Sequence, residues 1–533
     1  MLAKLVKRPP DRRCAVRPSA RRCAAAGAVG LALLGTGLTA AGSADADLGR
    51  FYDQEIEWSA CEGADLPKDL QCGTITVPLD YAAPGKDTLE LALARYRASG
   101  DARGSVLLNF GGPGGSGVLG LAHGRKDYLG LTDGYDVVSF DPRGVGRSSP
   151  VSCGADAISQ ALEATDGDAT ADPRDTLAQL REVAAECAEH SGPVLAHIGT
   201  VNVARDLDVI RQALGNKKLN YLGFSYGTRL GAVYAARFPE KVGRMALDGV
   251  DTLTESSAEQ GLANARGQQT ALENFLTWCS EELACPFGQD ARDARRQVVE
   301  LVDSLDENPV PTDFGYEFTG QDLAGAIGQG LYTRETWPLL QRALAQLMED
   351  GDTSGLEGLA TGGVALPAPQ RADAPLVDPE DVPPDNLPAA LMAVNCADDP
   401  DRPTAGRLAR DLTRLRTAYQ EASPVFGRYR LAQVVLCYGR PRGTDYIRDR
   451  VKDLDTPKML LVGTRGDPAT PYRWTVETAE RLGSSAVVLD NRGEGHTGYG
   501  ASECVHRAID DFLLYGSLPR SGSSCGAEDD DRV

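Results

Sequence analysis

The chain has 533 residues, more than one minimal domain needs, with 42% hydrophobic and 25% charged residues. That balance belongs to an ordinary folded chain and excludes a disordered or fibrous one. Acidic residues outnumber basic ones, 76 against 55, for a net charge of −21, which speaks against nucleic acid or anionic membrane as the main partner, since both require a basic footprint.

Residues 1–44 read as an export signal. Lys4, Lys7, Arg8, Arg12, Arg13, Arg17, Arg21 and Arg22 precede an Ala/Gly/Leu-rich run from Cys23 to Ala41, and small residues lead on to Asp45. This is the order of charged, apolar and cleavable regions in a secretory leader, with cleavage expected between Ala41 and Ala46. The run is short and Gly-rich for a firm membrane span, and no later stretch is long and apolar enough to cross a bilayer. No stable membrane insertion is therefore expected after leader removal, and the mature protein reads as secreted, extracellular or cell-wall associated. Of 12 cysteines, Cys14 and Cys23 fall in the leader. The ten others suit disulfides in an oxidising compartment. The simplest hypothesis joins sequence neighbours: Cys61 with Cys72, Cys153 with Cys187, Cys279 with Cys285, Cys396 with Cys437, and Cys504 with Cys525. No CxxC is present, and only His190 and His506 lie near a cysteine, so neither a metal site nor a cofactor is expected.

Early strands are expected at Thr74–Val77 and Leu89–Tyr96. Two continuous apolar runs follow, Ser105–Phe110 and Tyr135–Phe140, each ending in a Gly/Pro-rich turn, as strands buried on both faces of a parallel sheet do. A helix over Thr200–Leu214, a strand over Leu219–Phe224, a helix over Tyr226–Phe238 and a strand over Met245–Leu247 continue an α/β alternation. Past Val250 the strand rhythm stops. Helices are expected at Ala271–Leu283, Ala291–Leu305 and Leu408–Ala422, with a Pro/Asp-rich irregular stretch from Ala365 to Pro388. Strands at Lys458–Val462 and Ala486–Leu489 and a helix over Ser502–Leu514 resume the rhythm. The reading is a mostly parallel sheet flanked by helices, its core split into 45–253 and 455–525. A helical insertion covers 254–454, and an acidic tail covers 526–533.

Gly223-Phe224-Ser225-Tyr226-Gly227 is a G-x-S-x-G string between an expected strand and an expected helix. A sharp turn there needs small flanking residues, lifts the Ser225 hydroxyl above the sheet, and sets it at a helix N-terminus that favours negative charge. Serine needs a base to become a nucleophile. Around such an elbow the chain order is nucleophile, acid, base, which leaves His496 and His506. His496 lies in a loop after a strand, whereas His506 sits inside the last helix, so His496 is the expected base. Asp467 and Asp248 each follow a strand and could orient the imidazole; Asp467 directly precedes the histidine strand and is preferred, with Asp248 left to fix a turn. Oxyanion donors are expected from the N–H of Tyr226 and from the loop Gly111–Gly117, most directly Gly112. A phosphate-binding role for that loop fits less well, because it lacks the Lys-Ser/Thr of a P-loop and the spacing of a dinucleotide fingerprint.

These motifs, together with Asp141-Pro142-Arg143-Gly144-Val145-Gly146-Arg147-Ser148, Asp467-Pro468-Ala469-Thr470-Pro471 and Gly495-His496, resemble the tripeptidyl aminopeptidase and proline iminopeptidase branch of the α/β-hydrolases, as found in secreted actinobacterial exopeptidases. The resemblance spans nearly all of the mature chain. It implies an α/β-hydrolase fold with an inserted helical cap, and a serine exopeptidase releasing short peptides, tripeptides among them, from the free N-termini of peptides or proteins. Phe110 stands where intracellular iminopeptidases carry His, which favours the secreted, longer-peptide branch. The resemblance also draws attention to Asn395-Cys396-Ala397-Asp398-Asp399, where Asp398 or Asp399 would contact the substrate N-terminus; two solvated loop acids before Pro400 is the competing reading. A carboxylesterase or lipase using the same triad, and a non-catalytic cell-surface binding protein on a hydrolase scaffold, are the alternative functions.

Overall fold

The computed structural model describes residues 48–61, 66–154, 156–158, 160–161, 173–312, 315–360, 382–399, 401–441, 451–520 and 522–526. The expected leader and nearly all of the acidic tail lie outside them. The strands are β1 (Ser59–Ala60), β2 (Gln71–Pro78), β3 (Thr88–Tyr96), β4 (Ser105–Asn109), β5 (Asp136–Phe140), β6 (Leu219–Phe224), β7 (Val242–Asp248), a separate hairpin of β8 (Val310–Pro311) and β9 (Glu317–Phe318), then β10 (Met459–Gly466), β11 (Ala486–Glu494) and β12 (Ser524–Cys525). Among the described residues, ten of them form one sheet in the order β1-β2-β3-β5-β4-β6-β7-β10-β11-β12. From β5 to β12 all neighbours are parallel, while β1, β2 and β3 form an antiparallel edge.

The continuous apolar runs are explained by cover on both faces. Side chains alternate along a strand, so Leu107, Tyr221, Leu247 and Leu461 enter one core with Leu207 and Ile210 of α3 and Leu230 and Val233 of α4. Val106, Leu108, Leu222, Ala246 and Leu460 enter the other, with Val118 and Leu121 of α1 and Val505, Ile509 and Phe512 of α14. These helices are α1 (Gly117–His123), α3 (Thr200–Ala213), α4 (Tyr226–Arg237) and α14 (Glu503–Tyr515); α2 is Pro173–Ser191 and α13 is Tyr472–Leu482.

Between β7 and β10 the chain runs through α5 (Ser257–Glu281), α6 (Ala291–Glu307), α7 (Gly320–Gly330), α8 (Trp337–Asp350), α9 (Ser354–Ala360), α10 (Asn386–Asp398), α11 (Ala405–Ala422) and α12 (Gly427–Ala432). It leaves and re-enters the sheet on adjacent parallel strands, with Leu460 opposite Ala246. Phe275, Val298, Ile327, Trp337, Leu340 and Leu344 form a separate core there. The helix expected at Ala271–Leu283 is the second half of α5, which starts at a Ser256/Glu259 capping box. Gly261 and Gly267 interrupt its apolar rhythm because neighbours press close. A Cβ at Gly261 would stand 2.6 Å from the Tyr419 hydroxyl, and one at Gly267 2.9 Å from the Pro471 ring. The irregular stretch expected over Ala365–Pro388 lies mostly outside the described residues, and its last three residues already belong to α10.

The ten cysteines of the described chain form five disulfides, each between sequence neighbours: Cys61–Cys72, Cys153–Cys187, Cys279–Cys285, Cys396–Cys437 and Cys504–Cys525. Among the described residues, no helix is long and apolar enough to cross a membrane.

Candidate active site

Ser225 stands between β6 and the first residue of α4 at φ +55° and ψ −126°, a conformation costing about 1–3 kcal/mol for a residue with a side chain. The surrounding packing enforces it. A Cβ at Gly223 would lie 2.6 Å from the Gly227 carbonyl oxygen, and one at Gly227 2.6 Å from that of Asn109. The Ser225 N–H donates to the Asp248 carbonyl at 3.0 Å, and the N–H and hydroxyl of Thr228 donate to the Ser225 carbonyl. The turn is therefore tied to both β7 and its own helix.

The loop after β4 lies against this turn. Gly111 has φ +86°, and a Cβ on it would come 2.6 Å from the Phe224 carbonyl oxygen and 3.0 Å from Ser225 Cβ. Its N–H donates to Asn109 Oδ1 at 3.1 Å. Gly112, at φ +107°, presents the next N–H of the loop. The Tyr226 N–H heads α4 and so has no acceptor within the helix. Asp141 ties this loop to the Asp-Pro-Arg-Gly segment by accepting from Ser116 Oγ at 2.7 Å, Val118 N–H at 3.0 Å and Arg147 N–H at 3.0 Å. Arg143, wholly buried, donates through Nε and Nη2 to the two oxygens of Asp206 at 2.7 and 2.6 Å.

His496 follows β11, and Asp467 follows β10. The imidazole Nδ1 is 2.9 Å from both carboxylate oxygens of Asp467. That carboxylate is buried and also accepts from the N–H groups of Ala469 (2.8 Å), Thr470 (2.7 Å) and Thr497 (3.2 Å) and from the Thr470 hydroxyl (2.8 Å). Several donors on one carboxylate fix its direction. Burial alone would lower the pKa of His496, but the charge and hydrogen bond of Asp467, with Asp248 and Asp251 further off, raise it above the usual imidazole value. Asp248 does not touch the ring. Its buried carboxylate accepts from the N–H groups of Gly498 and Tyr499 at 2.8–3.0 Å, so it anchors the loop just past His496; burial pushes its pKa up to about 6. His506, in α14, stacks on Tyr499 with ring centroids 4.0 Å apart.

The insertion reaches this loop through Tyr332, just past α7. The His496 N–H donates to the Tyr332 carbonyl at 2.7 Å, and the Tyr332 ring stands edge-on to the imidazole with centroids 5.2 Å apart. No local pattern links two residues so far apart in the chain. Thr470 is nearer at hand in the sequence, since an Asp that turns back onto the N–H groups two and three residues on is a local pattern.

Asp398 ends α10 and Asp399 follows it; both are buried rather than solvated. Asp398 accepts from the N–H and hydroxyl of Thr200 and lies 3.6 Å from Arg229. The Thr200 hydroxyl also bonds the phenol of Tyr226 at 2.6 Å, linking Asp398 to the residue after Ser225. Asp399 accepts from Ser257 Oγ. Together with Glu255, Asn395, Arg229 and neighbours they line a pocket of about 20 Å³, room for one water-sized group. Asp251, 2.9 Å from Arg229, adds a further carboxylate nearby.

A central parallel sheet, a Gly-x-Ser-x-Gly elbow and a histidine–aspartate pair on following loops define a hydrolase class, and two family models match accordingly. The "alpha/beta hydrolase fold" covers residues 104–339 and "TAP-like protein" covers residues 423–525. The chain belongs to the α/β hydrolase family and is an enzyme of it. It is 32% identical over 498 residues to "Serine protease Hip1" of Mycobacterium tuberculosis, spanning 89% of this chain and 91% of that one. It is 31% identical over 489 residues to "Tripeptidyl aminopeptidase" of Streptomyces lividans, spanning 88% and 86%. It is also 33% identical over 506 residues to "Carboxylesterase B" of M. tuberculosis, spanning 88% and 89%.

Proposed function

We propose that this enzyme is an exported serine exopeptidase that releases short peptides, tripeptides among them, from free N-termini. Ser225 attacks the scissile carbonyl while His496 takes its proton; the oxyanion is received by the N–H groups of Gly112 and Tyr226; His496 then protonates the leaving amine, and water hydrolyses the acyl-enzyme by the reverse proton path. Asp467 holds the imidazole and favours its charged form. The observation that carries the reading is the conjunction of the strained Ser225 turn with the His496–Asp467 pair. The similarity to a serine protease and a tripeptidyl aminopeptidase directs it to peptides. An N-terminal ammonium suits the small pocket whose described lining residues bring the carboxylates of Asp398, Asp399 and Glu255, the last paired with Arg473, around one guanidinium, that of Arg229. The basic, then apolar, leader at residues 1–44 and the five disulfides support export.

Similarity to a carboxylesterase favours ester hydrolysis as the second reading. One experiment separates them: cleavage of a chromogenic tripeptide with a free N-terminus, the same peptide N-acylated, and a simple acyl ester. The exopeptidase reading expects the free peptide to be preferred strongly over the blocked one. Equal cleavage of both, or activity limited to the ester, overturns it, and activity surviving Ser225→Ala overturns the mechanism.

A further inference from the structure

Beside the Tyr332–His496 contact opens a cavity of about 290 Å³, bounded by α5, α7 and α12. Its polar lining is mostly neutral: Gln268, Gln321, Gln329 and Gln433, with the phenols of Tyr332 and Tyr429. Among the described residues that line it, Arg430 carries the only charge. Its Nε donates to the Gln268 side-chain oxygen at 2.9 Å. Arg430 is half-buried, and the fully buried arginines near the site, Arg143 and Arg229, each face carboxylates, Asp206 for one and Asp251 with Asp398 for the other. Arg430 faces none among the described residues. Burial pulls its guanidinium below the usual arginine value, and the groups that favour its charge are the phenols of Tyr332 and Tyr419.

A cation left without a counter-charge in a partly desolvated hollow is costly unless an anion completes it. Tyr332 lines the cavity, and its ring meets the His496 ring edge-on. Through Tyr332 the cavity adjoins the loop that carries His496.

Resting on the peptidase reading of the Ser225 site, we propose that this cavity is a substrate subsite for a carboxylate, received by Arg430 with the surrounding glutamine amides. The carboxylate comes from an acidic side chain near the scissile bond or from the C-terminus of a short leaving peptide. Both present the planar, two-oxygen acceptor that a guanidinium binds through paired N–H groups. In a chain of net charge −21, a cationic hollow beside the catalytic histidine selects substrates that the remaining surface repels.

The test uses matched substrates on the full-length enzyme: tripeptide anilides bearing Glu or Gln, short peptides ending in a free carboxylate or an amide, and the p-nitrophenyl esters of glutaric and butyric acids. The ratio of kcat/KM for the charged over the neutral member is read in each pair. We expect a ratio of about tenfold or more in at least one pair, the usual scale for a charge-assisted hydrogen bond. It falls towards one in Arg430→Gln and is largely kept in Arg430→Lys. If Arg430→Gln does not fold, Gln433→Glu, one helical turn on, supplies a competing carboxylate and lowers the ratio the same way. Ratios near one in the wild type for all pairs, or a ratio unmoved by these variants, overturn the proposal. If no peptide is cleaved while the esters are, the peptidase reading fails and the ester pair alone decides the subsite.

Discussion

The main-chain N–H of His496 donates to the main-chain carbonyl of Tyr332 at 2.7 Å, so the loop that carries the proposed base is held by the helical insertion as well as by the sheet. Gly495 makes this possible. At φ +93° it lets the loop pass under Tyr332, where a Cβ would stand 2.7 Å from that carbonyl oxygen. Gly495→Ala is expected to lower kcat by roughly tenfold or more while CD stays close to wild type and stability falls by only about 1–3 kcal/mol, the cost of a side chain at that φ, because misplacement of a reacting group is punished more than stability is. An unaltered kcat would show that the contact does not position His496.

The His496–Asp467 pair sets a pH limb. Asp467 raises the imidazole pKa, so activity rises with pH through that raised value as the base becomes neutral. Asp467→Asn is expected to move the acid limb to lower pH and to cut kcat by about 10⁴, through loss of the correct tautomer and of imidazolium stabilisation. For stability the sign is opposite. The pairing contributes fully below the unfolded histidine value of 6.5 and is lost as pH rises through the folded one.

Thr470 donates its hydroxyl to Asp467 at 2.8 Å without contacting substrate in the proposed mechanism. Thr470→Val keeps the shape and removes the donor. It should reduce kcat severalfold, on the scale of about 1 kcal/mol for one hydrogen bond, with KM little changed; Thr470→Ser should restore most of the loss. A purely structural role would instead lower the melting temperature in both variants alike.

Asp248 is a carboxylate whose pKa is raised from 3.8 to about 6. The linked stability is fully present below pH 3.8 and is lost as pH rises through 6. Asp248→Asn keeps an acceptor for Gly498 and Tyr499 and should flatten that part of the stability profile. Asp248→Ala strands two buried N–H groups and should destabilise by about 1–3 kcal/mol for each, read by urea unfolding at pH 7.

Arg143 and Asp206 form a fully buried bidentate pair. Asp206→Ala leaves the guanidinium uncompensated and is expected to cost about 3–5 kcal/mol. A loss under 1 kcal/mol would mean that the carbonyls of Pro78, Leu79 and His197, which Arg143 also bonds, suffice to hold it.

Much of this site was legible because its signals are local. The elbow is five consecutive residues, and the preference for His496 over His506 needed only the difference between a loop and a helix interior. The neighbour pairing of cysteines was legible for the same reason. Asp248 was weighed only as an alternative orienting acid or a turn former, since its grip on Gly498 and Tyr499 spans about 250 residues. Tyr332 reaches the site, and Arg430 the cavity beside it, through insertion packing that no spacing encodes. Helix α10 was obscured for a different reason. Its sequence Asn386-Leu387-Pro388-Ala389-Ala390-Leu391-Met392-Ala393-Val394 is apolar on nearly every side and holds a proline, which a first helical turn tolerates but which reads locally as a breaker.

The chain departs at the C-terminal end of β7 and returns at the N-terminal end of the parallel, adjoining β10, so any connection between them has to cross the sheet from one end of the strands to the other. A crossover of roughly a dozen residues is the least that could replace the insertion and keep the register of Ala246 with Leu460. The part that holds Arg430 and Tyr332 is thereby an exchangeable module. Substrate choice can diverge by replacement of one contiguous segment, while Ser225, Asp467 and His496 stay on the sheet that carries them.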